Sequence, residues 1–308
     1  MPPADLVAPS AGSAVTDATA RLRAAGSPTP RLDAELLVSH AFGRERAWLH
    51  AHPEAALPSE VAELLHEWVT RRAEGEPIAY IRGFKDWFSL RVATDARSLI
   101  PRPETELLAE AAIAEVAARL VRDGEEVIAW DVGTGSGAVA LAIALRFRTA
   151  AALGRVRLVA SDASADALEL AAENLAAHGV SGLVALACAD LLEPAASHGA
   201  LGSLPLPDVL TANLPYVPSV EVAARAGSLR YEPHGALDGG ADGLSVIRRL
   251  LDQLPARLAP GGVALLEIGI GQVDQVRRLV DALPMRCAVS AFPDLAGIER
   301  IVRIARLS

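Results

Sequence analysis

From residue 126 to the end of the chain, short apolar runs alternate with longer stretches in which apolar residues recur every three or four positions. The runs EVIAWDV, RVRLVAS, LVALACA, DVLTAN, GVALLEI, RCAVSAF and RIVRIAR predict seven strands, and the periodic stretches predict helices over 136–147, 164–178, 243–257 and 272–282. Strands alternating with helices imply a parallel sheet covered on both faces. From Ser13 to about Gly75 the pattern is helical throughout, as in LDAELLVSHAF and VAELLHEWVTRRA, with breaks at GSPTP and HPEAALPS. Four or five short helices follow. The intervening EPIAYIRGFKDWFSLRVATDARSLIPRPETELL mixes β-prone residues with Gly and Asp turns, so it reads as a hairpin linker. It runs into a helix at Pro103, whose first turn carries Glu104 and Glu106 where the helix dipole favours acids. The expected organisation is a helical bundle over 1–75, a β-hairpin linker over 76–102 and an α/β domain over 103–308.

Composition narrows the function classes. A chain that is 51% hydrophobic supplies a large core, yet no apolar run approaches the roughly 18 residues of a membrane span. The opening MPPADLVAPSAGSAVTDA has no basic end before an apolar core, so no signal peptide is read and cytoplasmic residence is expected. Cys188 and Cys287 stand apart and outside any CxxC pair, which argues for core thiols rather than a zinc site or disulfide framework. His40, His50, His52 and His66 repeat no metal-ligand spacing, and no metal is expected. A formal net charge of -9 disfavours a direct grip on a nucleic-acid backbone. Lys85 is the sole lysine, which carries no chemical implication.

The chemistry concentrates at strand ends. In AWDVGTGSGAVALAIAL an acid, Asp131, closes a strand before Gly133, Thr134, Gly135, Ser136 and Gly137 open a helix. Glycines there allow a tight turn and let backbone N–H groups approach a ligand. Such turns also serve plain strand-to-helix packing. The next strand ends at Asp162, 25 residues after Gly137, roughly where an acid binds the ribose hydroxyls of an adenosine cofactor. The third ends in ACADLL, which brings Asp190 beside the adenine position. A carboxylate at Asp131 suits an ammonium better than a pyrophosphate, which disfavours a nicotinamide dinucleotide. The DVGTGSG sequence and its spacing resemble the S-adenosylmethionine loop of the seven-stranded class I methyltransferases, a Rossmann-like fold. That resemblance implies that Gly133 to Gly137 wrap the methionine and ribose of S-adenosyl-L-methionine. It also implies that Asp162 holds the ribose and that Asp190 and Leu191 flank the adenine.

TANLPYV ends the fourth strand at Asn213, where open α/β sheets place ligands. An amide nitrogen is a poor nucleophile because its lone pair is delocalised into the carbonyl. If the Asn213 side-chain oxygen and the Leu214 carbonyl each accept a hydrogen bond from one acceptor NH2, the nitrogen can pyramidalise towards the methyl donor. Tyr216 would stack on the planar group, with Pro215 fixing the turn; the same four residues also make an ordinary strand-end turn. The motif resembles the [DN]-P-P-[FYW] signature shared by DNA amino-methyltransferases, ribosomal RNA adenine dimethyltransferases and PrmC (HemK) protein-glutamine methyltransferases. Leu214 looks like the RNA enzymes. EPIAYIRGFKDWFSL, IPRPETELL, YEPHGALDGGADGL and LLEIGIGQ, however, resemble PrmC motifs in the PrmC order, and about 125 residues precede the glycine loop. The PrmC resemblance implies methylation of the Gln side-chain amide in the Gly-Gly-Gln loop of class-one peptide release factors. The bundle, which has core periodicity but no chemistry of its own, is assigned to release-factor recognition, and a monomer with neither nucleic-acid nor membrane partners is expected. The alternatives are nucleic-acid adenine methylation and a non-catalytic protein that binds the same cofactor.

Overall fold

The computed structural model describes residues 9–122, 126–194, 206–225 and 227–307. The first eight residues, and the signal-peptide reading that rests partly on them, lie outside that set. The chain forms two compact units, one of Met1–Phe84 with Ala226–Tyr231 and the other of Lys85–Arg225 with Glu232–Ser308.

The first unit carries α1 (Ala11–Ala24), α2 (Pro30–Ala41), α3 (Arg46–Ala51), α4 (Ser59–Ala73) and α5 (Ile78–Arg82). Ser10 and Ser13 cap α1 reciprocally: the Ser10 Oγ accepts the Ser13 N–H at 3.3 Å, and the Ser13 Oγ accepts the Ser10 N–H at 2.8 Å. Leu22, Leu37, Val38 and Val69 fill the core. Two acids near the start of α2 are buried with their counterions, Asp33 against Arg72 at 2.8 Å and Glu35 against Arg31 at 2.6 Å and Arg46 at 2.8 Å. His40 stacks on Trp68 and His52 on Trp48, so both rings serve packing. Helix α5 lies in the segment read as the start of a hairpin. The hairpin itself is only β1 (Phe84–Trp87) and β2 (Leu90–Ala93), turned at Phe88 and Ser89. Both turn residues have positive φ, 51° and 58°, the twist that a two-residue hairpin needs.

In the second unit, α6 (Thr105–Arg122) begins two residues later than expected, after a turn at Pro103 and Glu104. The main sheet contains β3 (Val127–Val132), β4 (Val156–Asp162), β5 (Val184–Asp190), β6 (Glu193–Pro194), β7 (Val209–Ala212), β8 (Val263–Glu267), β9 (Cys287–Pro293) and β10 (Glu299–Arg306). Among the described residues their order is β6-β5-β4-β3-β7-β8-β10-β9: seven strands of full length and a two-residue edge strand. The expected parallel sheet is mixed: β10 runs antiparallel to both neighbours, and the short β6 runs antiparallel to β5. No helix separates β9 from β10, and a short connection returns the chain as a hairpin. Helices α7 (Ala138–Arg146), α8 (Arg148–Ala152), α9 (Ala165–Ala177), α10 (Ser219–Ala223), α11 (Ser245–Arg257) and α12 (Val273–Asp281) complete the unit.

Successive strand residues point to opposite faces, so each face acquires its own core. Val127, Ala129, Leu158 and Leu265 pack with α6 and α7, whereas Trp130, Val132, Leu210 and Leu266 pack with α11 and α12. Burial on both faces explains why the strands read as nearly unbroken apolar runs. Cys188 and Cys287 are half-buried rather than core residues. Among the described residues no helix is long and apolar enough to cross a membrane, and no group of His, Cys, Asp and Glu is arranged to hold a metal.

Candidate functional site

The sheet order reverses between β3 and β7, and the loops leaving these two strands diverge around a crevice, the place where doubly wound sheets bind ligands. After β3 the chain passes Gly133, Gly135 and Gly137, with φ of 68°, 56° and 78°, a region that other residues enter only at a cost. Space differs among the three. A Cβ on Gly133 would stand 2.9 Å from Leu214 Cδ2, and one on Gly137 would stand 3.0 Å from Ala171 Cβ on α9. A Cβ on Gly135 would meet nothing nearer than Ser98 Cβ at 3.9 Å, because it would enter the cavity. The Thr134 N–H is anchored on the Ser161 carbonyl at 2.9 Å, and Asn174 Nδ2 donates to the Ser136 carbonyl at 2.9 Å.

Asp131 is buried, and both of its oxygens are engaged: Oδ2 accepts from the Thr134 hydroxyl at 2.6 Å and Oδ1 from the Thr211 hydroxyl at 2.7 Å. Burial pushes its carboxyl up to about 6, against those two hydrogen bonds. Asp162 is raised by burial too, while the backbone N–H groups of Ser164 and Gly135, each 2.9 Å away, hold it back. Each Asp162 oxygen keeps lone-pair capacity beyond its backbone donor. Asp190 is exposed and paired with Arg249, a surface contact worth less than about 1 kcal/mol and so open to exchange for a ligand. Leu191, at φ 60°, turns a buried side chain beside it.

One cavity of about 570 Å³ gathers these groups, within the range that holds a nucleoside-sized ligand. Asp131, Gly133, Thr134, Gly135, Ser136, Asp162, Asp190, Leu191, Asn213, Leu214 and Pro215 all line it; Gly137 and Tyr216 do not. Gly137 instead lets α7 pack closely on α9. The residues present suit an adenosine-type cofactor: a glycine that leaves its cradle open and an acid with spare acceptor capacity face one enclosed space.

The acceptor loop is held from several directions. Leu214 is buried, and its side chain covers Gly133, so the branched residue at this position ties the acceptor loop to the glycine loop. Asn213 Nδ2 donates to the Thr105 hydroxyl at 3.1 Å, at the start of α6. The Tyr216 hydroxyl donates to Glu267 Oε1 at 3.3 Å, and the Tyr216 carbonyl accepts from Gln272 Nε2 at 3.0 Å. A Cβ on Gly243 would stand 2.3 Å from that carbonyl, so only glycine fits there. The segment 231–244 also bonds to the acceptor loop through Val217 N–H to Leu237 O and Ser219 Oγ to Asp238 Oδ1. At its start, the buried Glu232 accepts from the Ile100 N–H at 3.1 Å and from Arg102 at 2.6 Å, tying it to the IPRPETELL segment.

Sequence reasoning missed Thr105, Glu232, Arg249 and Glu267 as parts of this site. Glu267 had a readable signal, since it closes β8 as Asp131 lies near the end of β3 and Asp162 closes β4. Glu232 lies in the quoted YEPHGALDGGADGL stretch without its partner being readable, and Arg249 had no signal, because the residues they pair with are distant in the chain.

Comparison with known proteins sets the chain among its relatives. The family model of the PrmC N-terminal domain matches residues 13–83. The release factor glutamine methyltransferase of Deinococcus radiodurans is 36% identical over 293 residues, covering 95% of this chain and 97% of that protein. Its namesake in Pseudomonas aeruginosa is 37% identical over 281 residues, covering 89% of this chain and 92% of its own. Among solved structures, the hMettl16 catalytic domain in complex with the MAT2A 3′UTR hairpin 6 is similar in fold alone, with a TM-score of 0.50 at 12% identity over 80% of this chain and 82% of that one.

Proposed function

The chain belongs to the release factor glutamine methyltransferase family, and on that premise we propose that it methylates the side-chain amide nitrogen of the Gln in the Gly-Gly-Gln motif of class-one peptide chain release factors, with S-adenosyl-L-methionine as donor. The observation that carries this reading is the joining of the Asn213 loop and the glycine loop at one cavity, with Leu214 packed over Gly133. When bound, the cofactor supplies an electrophilic methyl group on a sulfonium.

In this reading Gly133 to Gly137 wrap the methionine and ribose part, the Asp162 carboxylate accepts the ribose hydroxyls, and Asp190 with Leu191 borders the adenine. Asp131 acts one layer back, orienting Thr134. With its Nδ2 tied to Thr105, Asn213 offers its Oδ1 to the incoming amide, and the Leu214 carbonyl offers the second acceptor. Two acceptors on one NH2 draw its lone pair out of conjugation and aim it at the methyl group. With the cofactor bound, its methyl would pass to the nitrogen so held, leaving S-adenosyl-L-homocysteine, and the nitrogen would lose one proton to water once it carried positive charge. No strong base is needed, because that proton is then acidic. The helical unit, whose residues 13–83 match the PrmC N-terminal domain, is assigned to release-factor docking.

Offering methyl-labelled cofactor with separate release-factor, RNA and DNA acceptors tests the assignment. Label should enter the release factor at its Gly-Gly-Gln glutamine; label in RNA or DNA instead would overturn it. A folded variant lacking the helical unit should show a much higher KM for intact release factor at nearly unchanged cofactor affinity.

A further inference from the structure

Glu267 ends β8 with its side chain sealed from solvent, 1% exposed. Burial pushes it up to about 7, with the Thr105 and Tyr216 hydroxyls holding it back; of the charges facing it, Glu104 raises it and Arg300 lowers it. Arg300 is itself shared with Glu104 at 3.8 Å and Asp294 at 3.2 Å. Oε1 takes the Tyr216 hydroxyl, whereas Oε2 has no hydrogen-bond partner among the described residues. A buried acid so placed costs stability, and nothing in the packing of the sheet requires it.

What it controls follows from hydrogen-bond polarity. Asn213 Nδ2 donates to Thr105 Oγ1, so that hydroxyl already accepts one bond, and its proton, free to rotate, is the donor available to the otherwise unserved Oε2 of Glu267. With Glu267 ionised, the run has a single direction, from the Asn213 amide to Thr105 to the carboxylate. That direction decides which end of the Asn213 amide faces Thr105, and therefore leaves Oδ1 for the substrate. A protonated Glu267 would itself donate, and the direction would no longer be unique.

We propose that Glu267 is a positioning residue for methyl transfer, acting on the Asn213 amide through Thr105 and on the ring of Tyr216 directly. The proposal rests on the methyltransferase reading given above. It accounts for a polar strand end that the cofactor cavity does not use, and it makes the orientation of the acceptor loop depend on one ionisation.

Single-turnover methylation of a release factor, followed from about pH 6 to about pH 9 at saturating cofactor, tests it. The wild-type rate should fall on the acid side with a midpoint near 7. Glu267→Gln should lower the plateau rate by about 10- to 100-fold and abolish that limb, while cofactor Kd by calorimetry moves less than about threefold. Thr105→Val, which breaks the relay without touching the carboxylate, should act likewise, and the double variant should be no slower than the slower single one. A second readout needs no turnover: the Asn213 side-chain amide NMR resonances should titrate with a midpoint near 7 in wild type and not in Glu267→Gln. Wild-type rate and pH profile in either variant, additive losses in the double, or an Asn213 amide blind to pH would each overturn the proposal. Failure of the wild-type enzyme to methylate any release factor would sink the functional reading instead, and the NMR titration would still decide the positioning role.

Discussion

Asp162→Ala separates two jobs that one carboxylate performs. Its Oδ2 accepts the Gly135 N–H and its Oδ1 the Ser164 N–H, both at 2.9 Å, so the substitution unties the glycine loop from the end of β4. In the proposed complex it also removes the acceptor for the ribose hydroxyls. Hydrogen bonds to an ionised group contribute about 1.5–3 kcal/mol, so cofactor Kd should weaken by about 10- to 150-fold. The rate at saturating cofactor should fall far less, because this is binding shared by ground and transition states. Calorimetry with S-adenosyl-L-homocysteine and its 2′-deoxy analogue apportions the loss. If Asp162 touches the ribose, deleting the 2′-hydroxyl should weaken binding to wild type but hardly matter to Asp162→Ala. Additive penalties would confine Asp162 to anchoring the loop, and unchanged affinity for both ligands would remove it from the site.

Asn213→Ala should slow single-turnover methylation by on the order of 100-fold, with cofactor Kd nearly intact; equal losses in both would recast Asn213 as a cofactor ligand. Gly135→Ala should cost only the backbone strain of its positive φ, about 1 kcal/mol by urea unfolding, yet weaken cofactor binding strongly, since its Cβ would enter the cavity. An alanine at Gly133 would meet Leu214 at 2.9 Å, so Leu214→Ala should restore part of the stability lost there, and no such rescue should appear for Gly135→Ala. Asp131 and Glu267 have folded pKa values raised to about 6 and about 7, so between about pH 4 and pH 7 the native state binds more protons than the unfolded one. Their contribution to stability therefore declines as pH rises through that window, by on the order of 3 kcal/mol each, and is flat above it. The double variant Asp131→Asn with Glu267→Gln should flatten the difference in urea midpoint between pH 5 and pH 7.5, and an unchanged difference would refute the linkage.

The fold was legible because burial on both faces writes strands as dense apolar runs, and each predicted run coincides with an observed strand to within a residue or two. What failed were places where a local pattern fits two structures. IAYIR is apolar and aromatic enough to suggest a strand, but Gly83 at φ 76° ends it as a one-turn helix after Pro77. The reversal of β10 left no mark in its own sequence, since an inner strand is apolar whichever way it runs. Its direction is set by the missing helix between β9 and β10, which connection length reveals and periodicity does not.

The site was legible to the extent that its groups lie on consecutive residues. Asp131 to Gly137 and Asn213 to Tyr216 each form one loop, and a strand-end rule found Asp162 and Asp190 as well. The supports are invisible to such reasoning because they join segments more than fifty residues apart, as Thr105 joins Asn213 and Glu232 joins Ile100. These supports nevertheless explain why the chain keeps IPRPETELL, YEPHGALDGGADGL and LLEIGIGQ around an acceptor loop of four residues. An amide that must present its oxygen, not its nitrogen, needs a fixed partner for the nitrogen, and that partner needs its own proton directed elsewhere. In the arrangement proposed for Glu267, each requirement recruits a further polar group into the interior until the run ends on a carboxylate. On this argument the buried acid of β8 is the cost of orienting one asparagine, and its raised pKa follows from where the run has to end.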